Sequence, residues 1–304
     1  MNLPDVVHSF GHAMQKKYGE KIHKLSINAA FTCPNRDGSK GIGGCTFCNN
    51  SSFSPNGKQP PALEEQIQAG QAVIRKRTGA NKYIAYFQAY TNTYSDIDTL
   101  KQLYDRALGE EGIVGLSIGT RPDCVPTPVL KLLADYQQQG YEVWLELGLQ
   151  SAFDESLSRV NRGHVFTDYV DAVKRARAYE LQICTHLIVG LPEETPEMSL
   201  ASLQRVLELG TQGLKLHPLH VVKGTMLANQ WRKGKYTTLK FKDYINTAVQ
   251  MVKQTPAHII YHRLTATASA NLLLAPSWCN KKWQVLNAIH DRLCLEHARQ
   301  GCAL

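Results

Sequence analysis

Three of the chain's eight cysteines, Cys33, Cys45 and Cys48, fall in one short stretch with the spacing C-x11-C-x2-C. Thiolates this close repel one another unless a cation holds them. Gly38, Gly41, Gly43 and Gly44 let the backbone between them fold tightly around one. A structural zinc would want a fourth protein ligand, and a catalytic zinc could use three and a water, although all-thiolate sites of that kind are uncommon. An iron–sulfur cluster is the other soft-ligand option, and four irons on three cysteines leave one iron open to an exogenous ligand. Spacing alone favours the cluster and leaves zinc, or three unrelated cysteines, open.

Segments that read as strands alternate with segments that read as helices. The stretch 23–31 is strand-like and precedes the cysteines; helix 62–78 follows, then strand 82–90, helix 96–108, strand 113–120, helix 127–140, strand 142–150, helix 167–179, strand 182–190, helix 196–210 and strand 213–220. The strands are mostly continuous apolar runs, as expected where helices cover a parallel sheet. Six β/α units predict an α/β fold, and right-handed crossovers curl such a sheet toward a partial (β/α)6 TIM-like barrel. Chemistry in such folds sits on the loops after the strands, which is where the three cysteines lie. Beyond about residue 225 the pattern weakens to a helix over 240–255, a strand over 259–266 and a helix over 283–300. The expected organisation is a barrel over 1–225 and a mixed, basic C-terminal extension over 226–304 packed on it.

The 43% hydrophobic and 20% charged residues are ordinary for a soluble globular chain. The first twenty or so residues lack the apolar core of a signal peptide, and no apolar run approaches the roughly 20 residues needed to span a bilayer. We therefore expect a cytoplasmic protein with no membrane partner, in which cysteines serve metals, catalysis or burial rather than disulfides. The net charge of +8 is uneven: from Lys215 onward lie 13 of the 34 Lys and Arg residues but only three of the 26 Asp and Glu residues. A basic last third suggests a polyanionic partner, nucleic acid first, or else a solvated basic face.

Further motifs give the cysteine spacing a context. The chain resembles the radical S-adenosylmethionine superfamily, whose usual spacing is C-x3-C-x2-C; the longer first gap is that of its Elongator-catalytic-subunit-like branch. The segments 119-GTRPD-123, 146-ELGLQS-151, 161-NRGH-164, 186-HLIVGLPEET-195 and 215-KLHPLHVVKGT-225 resemble, in order, signatures of that branch and of the superfamily's fifth and sixth strands. The YhcC/YtqA-like group of the branch matches essentially the whole chain.

This resemblance implies a [4Fe-4S] cluster on Cys33, Cys45 and Cys48, with S-adenosylmethionine chelating the open iron. Reductive cleavage would give a 5′-deoxyadenosyl radical that abstracts hydrogen from substrate. Phe47 matches the family's hydrophobic residue beside the adenine. Gln88, Thr91 and Asn92, in the altered second-strand motif 88-QAYTNTY-94, are candidates for the methionine end, or an ordinary polar loop. Thr120 and Gln150 are placed for the ribose, although Gly119 stands where the branch has a glutamate. Arg162 matches an arginine that contacts the methionine carboxylate, a role suited to its bidentate geometry. His186 is either a ribose contact or a satisfied core histidine. Arg121 binds a substrate phosphate or, preferably, pairs with Glu146 inside the barrel. Lys215, His217, His220 and Lys223, and likewise Tyr261, His262 and Arg263, meet an anionic substrate or belong to a general basic surface. Cys184 reads as buried; Cys279 is a candidate relay thiol, or joins Cys294 and Cys302 on an auxiliary cluster.

Phosphate-loop, nucleophile-elbow and HExxH zinc motifs are absent from the sequence. The stretch after the barrel is too short for the acetyltransferase domain of the Elongator subunit, so acetyl transfer is not expected. The function expected is radical chemistry, with a tRNA wobble uridine as the leading substrate and a reductant such as flavodoxin or ferredoxin as partner. The alternatives are the same chemistry on a small metabolite or a protein, and a non-catalytic, metal-stabilised RNA-binding module. The sequence assigns no catalytic side chain.

Overall fold

A computed structural model describes residues 3–49 and 60–304. The helices are α1 (Leu3–Val6), α2 (Phe10–Tyr18), α3 (Leu63–Thr78), α4 (Ile97–Leu108), α5 (Thr127–Gln138), α6 (Asp154–Arg159), α7 (Phe166–Ala178), α8 (Pro196–Glu208), α9 (Met226–Arg232), α10 (Phe241–Lys253) and α11 (Lys282–Leu295). The strands are β1 (Ile22–Ile27), β2 (Lys82–Phe87), β3 (Ile113–Thr120), β4 (Glu142–Gln150), β5 (Gln182–Val189), β6 (Gly213–Pro218), β7 (Val221–Val222), β8 (Ile260–Arg263) and β9 (Leu273–Ala275).

Seven strands, in the order β1-β2-β3-β4-β5-β6-β8, form one parallel sheet curled into a partial barrel. The α/β class and the six β/α units match the expectation. The seventh strand is β8, read in the sequence only as an isolated strand, which pairs parallel with β6. Its backbone is met in turn by the N-terminal segment: the Tyr261 N–H donates to the His8 carbonyl at 2.8 Å. The helices shield the outer face, where Leu25, Ala85, Leu116, Leu145, Ile183 and Leu214 are buried in the main apolar core. Caps fix where helices start; the Asp96 and Thr195 side chains accept the Thr99 and Met198 amides at the heads of α4 and α8.

Because side chains alternate along a strand, the other face lines the barrel, and it is layered. At the bottom, Phe10 and Met14 of α2 pack with Ile22, Ile84, Trp144 and Cys184. This helix, absent from the sequence reading, plugs the N-terminal end of the barrel. One pleat higher the interior turns polar. Glu146 is fully buried and accepts from Lys24 Nζ (2.6 Å), Ser117 Oγ (2.6 Å), His186 Nε2 (2.8 Å) and Lys215 Nζ. Lys215 also donates to the Tyr86 hydroxyl at 2.9 Å and lies over its ring. Burial raises the Glu146 pKa, but Lys215, Lys24 and hydrogen bonds from His186 and His262 outweigh it and hold the carboxyl well below its usual range.

This layer corrects two expectations. Arg121 does not pair with Glu146; the lysines of β1 and β6 do. Lys215, Tyr261 and His262 belong to no basic surface. Lys215 is buried beside Glu146, Tyr261 bonds Thr255 Oγ1 at 2.7 Å, and His262 lies between Phe10 and Trp144.

Removing one partner of a buried ion pair strands the other charge, at a cost of about 3–5 kcal/mol. Glu146→Ala should therefore lower the unfolding free energy by about that amount in urea titrations. A loss under about 1 kcal/mol, the scale of a surface pair, would show that the carboxylate does not hold the two lysines.

Candidate functional site

A cavity of about 240 Å³ opens at the C-terminal ends of the strands, above the polar layer. Cys33, Cys45 and Cys48 line it together with Phe47, Gln88, Thr91, Thr120, Gln150, Arg162 and His186. Of the candidates for cofactor contact, Asn92 alone lies elsewhere. It is buried, and its Nδ2 donates to the Phe87 carbonyl (3.1 Å) and the Gly119 carbonyl (2.7 Å), tying the ends of β2 and β3.

The cysteine loop is held by hydrogen bonds from distant segments. Asn35 Nδ2 donates to the Asn161 carbonyl (2.5 Å), and Asn161 Nδ2 returns the bond to the Gly44 carbonyl (2.9 Å). The Thr46 amide donates to Val160, and the Leu227 amide to Thr46. Arg36 bends over the loop to reach the Cys48 carbonyl at 2.7 Å. Only glycine fits beneath it at position 44, where φ is +83° and a Cβ would lie 2.8 Å from the Arg36 Nε.

Arginines dominate the electrostatics. Arg121 makes a bidentate pair with Asp123 (2.9 Å twice) and donates to the Arg162 carbonyl (2.7 Å). Lys40, within the cysteine loop, joins Asp123 at 2.6 Å. Burial raises the Asp123 pKa, but Arg121 and Lys40 overcome it and bring the carboxyl down to about 2. Arg162 is 8% exposed; its Nη2 donates to the Gly148 carbonyl (2.5 Å), and its Nη1 lies 3.5 Å from Cys45 Sγ. Gly148 must stay small, since a Cβ there would come within 2.9 Å of that guanidinium. Burial and the Arg162 and Arg121 charges depress His164 to about 3, so it is neutral. Burial, then Cys45, raises the Cys48 thiol pKa, and Arg36 and Arg162 oppose the rise.

Three buried polar atoms of lining residues have no hydrogen-bond partner: Thr91 Oγ1, Arg162 Nε and His217 Nε2. Native proteins rarely leave such atoms unpaired, and these three are open to a water or a bound group. Among the described residues, no three His, Cys, Asp or Glu side chains converge tightly enough to hold a single metal ion. The three thiols share the wall of the cavity, a soft donor set of the kind that ligates iron–sulfur clusters. The residues present fit an iron–sulfur cluster with a carboxylate-bearing cosubstrate beside it.

His217, His220 and Arg263 also line the cavity, whereas Lys223 is exposed. Cys279 is fully buried away from the cavity, with burial lifting its thiol to about 12, and Cys302 is exposed. The sequence reading missed Asn35, Arg36 and Asp123. Two of them lie within the cysteine spacer, where an Asn and an Arg among glycines were the available signal. No helix among the described residues is long and apolar enough to cross a membrane.

Residues 32–206 match the Radical SAM superfamily, and residues 211–294 match the Radical SAM C-terminal domain. The chain is 48% identical to Protein YhcC of Escherichia coli K12 over 304 residues, covering 100% of this chain and 97% of that protein. It is 37% identical over 127 residues to the tRNA uridine(34) acetyltransferase of Dehalococcoides mccartyi, covering 41% of this chain and 27% of that one. The fold superposes on archaeal Methanocaldococcus infernus Elp3 with a TM-score of 0.67 at 19% identity, covering 92% of this chain and 64% of that one.

The Asp123 clamp has a pH signature. A carboxyl whose folded pKa is about 2 against an ordinary 3.8 stabilises the fold fully above the ordinary value and loses that contribution as pH falls toward 2. Asp123→Asn should cost about 2 kcal/mol at neutral pH. Urea unfolding of both proteins should show the gap narrowing between about pH 4 and pH 2; a gap that does not change with pH would overturn the clamp.

Proposed function

The chain belongs to the radical SAM superfamily, and from that premise we propose that it abstracts hydrogen from a uridine of tRNA, using a [4Fe-4S] cluster and S-adenosylmethionine. The observation that carries the reading is one cavity that joins three loop cysteines to a buried arginine with an unused Nε. Cys33, Cys45 and Cys48 would hold three irons of the cluster, and the fourth would take the amino and carboxylate groups of S-adenosylmethionine. Bound there, the pair supplies hydrogen-atom abstraction.

The protein's own work is to bind, orient and exclude water. Arg162, fixed by Gly148 and beside Cys45, meets the methionine carboxylate. Thr91 and Gln88 serve the same end of the cosubstrate, and Thr120 and Gln150 the ribose. Phe47 packs on the adenine. His186 is committed to Glu146 through Nε2 and offers Nδ1 to the cavity. Burial and the Lys215 charge depress it to about 4, so it donates no charge.

A polyanionic substrate is supported by charge. Arg36, Arg162 and Arg263 line the cavity, while the Arg121 charge is matched by Asp123 and the Glu146 charge by the lysines. The excess of Lys and Arg after residue 214 points the same way. So does the partial match to an enzyme named for tRNA uridine 34.

After anaerobic reconstitution the protein should hold iron and sulfide near four each, and dithionite with S-adenosylmethionine should yield 5′-deoxyadenosine. Cys33→Ala, Cys45→Ala and Cys48→Ala should each lose the cluster; retention in all three sinks the proposal. Arg162→Lys, which keeps the charge but not the planar fork, should weaken S-adenosylmethionine binding about tenfold with iron content unchanged. For the substrate, nucleoside mass spectrometry of tRNA from cells with and without the gene should show a uridine derivative that changes; identical profiles would exclude tRNA uridine.

A further inference from the structure

The sheet does not close. Its terminal strands, β1 and β8, pair with β2 and β6 but not with each other. At the ion layer, Lys24 Nζ spans the gap to His262 Nδ1 at 2.9 Å. Two residues further along β1, Ser26 points to the same face as Lys24, because side chains alternate. There the gap is uncovered: Ser26 is exposed, although its hydroxyl reaches Gln88 of the cavity wall at 3.3 Å. On the β8 side, Arg263 lines the cavity. The cavity therefore has a lateral mouth between the two edge strands.

The helix ends beside this seam carry cations. The last turn of α3 holds Arg75, Lys76 and Arg77, and Lys281 and Lys282 stand at the head of α11, all five exposed. The acids of α3, Glu64 and Glu65, lie in its first turn at the far end, and the first turn of α11 has none. The two helix ends and the mouth share one field. Partial burial first, then the Arg263 and Arg77 charges, lower the Lys282 pKa, and Arg77 and Lys21 add to the effect of burial in lowering that of His23 on β1. Among the described residues, the side chains of Arg77 and Lys282 make no ion pair.

In this field stands Trp283, 71% exposed, with Lys282 Nζ 5.5 Å from its ring centroid. Its neighbours Lys281, Lys282 and Gln284 are polar and exposed. It is therefore not the centre of an apolar patch, as the core of a protein–protein interface would be. An indole set among cations suits an unpaired base, which stacks on the ring while the cations hold its phosphates. A duplex keeps its bases stacked on one another and would use the cations alone.

We propose that this seam binds single-stranded RNA, with Trp283 stacking on a base and Arg77 and Lys282 on the flanking phosphates, so that an unpaired nucleotide faces the lateral mouth. The proposal rests on the reading of an RNA substrate given above, and its test needs no turnover. The reconstituted holoenzyme is titrated anaerobically, by fluorescence anisotropy, with a fluorescein-labelled single-stranded RNA and with a blunt RNA duplex of the same length. The single strand should bind at micromolar concentration or below, and more tightly than the duplex. Trp283→Ala should weaken the single strand about tenfold, the scale of one lost base stack, and leave the duplex unchanged. Trp283→Phe should restore part of the loss. Arg77→Gln and Lys282→Gln should weaken both RNAs, and each should lower the salt slope of binding by about one. Iron content, melting temperature and reductive production of 5′-deoxyadenosine should not change in any of these variants.

The proposal is overturned if the wild type binds neither RNA, if Trp283→Ala keeps full affinity for the single strand, or if it weakens the duplex equally. It is also overturned if the variants lose iron or melting temperature along with RNA, or if they keep RNA and lose binding of an acidic flavodoxin. Seam-dependent RNA binding with tRNA nucleosides that do not change on gene deletion would remove the tRNA uridine reading and keep the surface. A changed uridine with RNA affinity intact in all the variants would remove the surface alone.

Discussion

The barrel is organised around a charge that could not survive in its interior alone. Glu146 is fully buried, and its desolvation is offset because β1 and β6, from different parts of the sheet, each bring a lysine to it. The pairing spans the curl: Lys24 lies 122 positions and Lys215 69 positions from the carboxylate. A strand that slipped by one residue would turn its lysine outward and leave the carboxylate under-paired, so the ion layer fixes register as well as curvature. Tyr86 and His186 are then carried to the floor of the cavity by the same contacts.

Above that layer, the motif residues work mainly as fasteners. The arginine and aspartate of GTRPD clamp each other, the NRGH backbone and the cysteine loop. The asparagine of NRGH ties the loop at Gly44, and its arginine stands between Gly148 and Cys45. Three thiols on a glycine-rich loop would otherwise wander, since each glycine widens the conformations open to the chain. Segments more than a hundred residues away supply the rigidity that the loop lacks.

The alternation of strands and helices was legible because parallel strands covered by helices read as apolar runs; each expected strand and helix is observed within a residue of its expected start, whereas α1, α2, α6, α9, β7 and β9 were not read. That the three cysteines and all of the other candidates but Asn92 would line one cavity was legible through their place after strands, a rule of the architecture rather than of any single residue. The partners of charged residues were not. Glu146 and Lys215 stand in mostly apolar strands and Lys24 in the mixed strand IHKLSI, and which cation meets which carboxylate depends on sheet curl that no local pattern encodes. Arg121 was misassigned for that reason: its partner lies two residues away, in a turn through Pro122, and the distant acid was already taken. Asn92 looked like a ligand because it sits among loop hydroxyls, but its amide is used by the two backbone carbonyls it bridges.

The unpaired atoms in the cavity bear on how such a site is kept open. A buried donor or acceptor without a partner costs about 1–3 kcal/mol, and Thr91, Arg162 and His217 each carry one. The fold does not collapse to satisfy them because each side chain is pinned elsewhere. Gly148 and Cys45 hold the two ends of the Arg162 guanidinium, and the Thr91 amide donates to the Thr32 carbonyl. His217 is stacked on a histidine that Glu146 fixes. A ligand that supplies the missing partners recovers that cost on binding, so occupancy and global stability are thermodynamically linked. The ion layer beneath the cavity and the fasteners around it thus hold these side chains in place, and the same contacts stabilise the barrel.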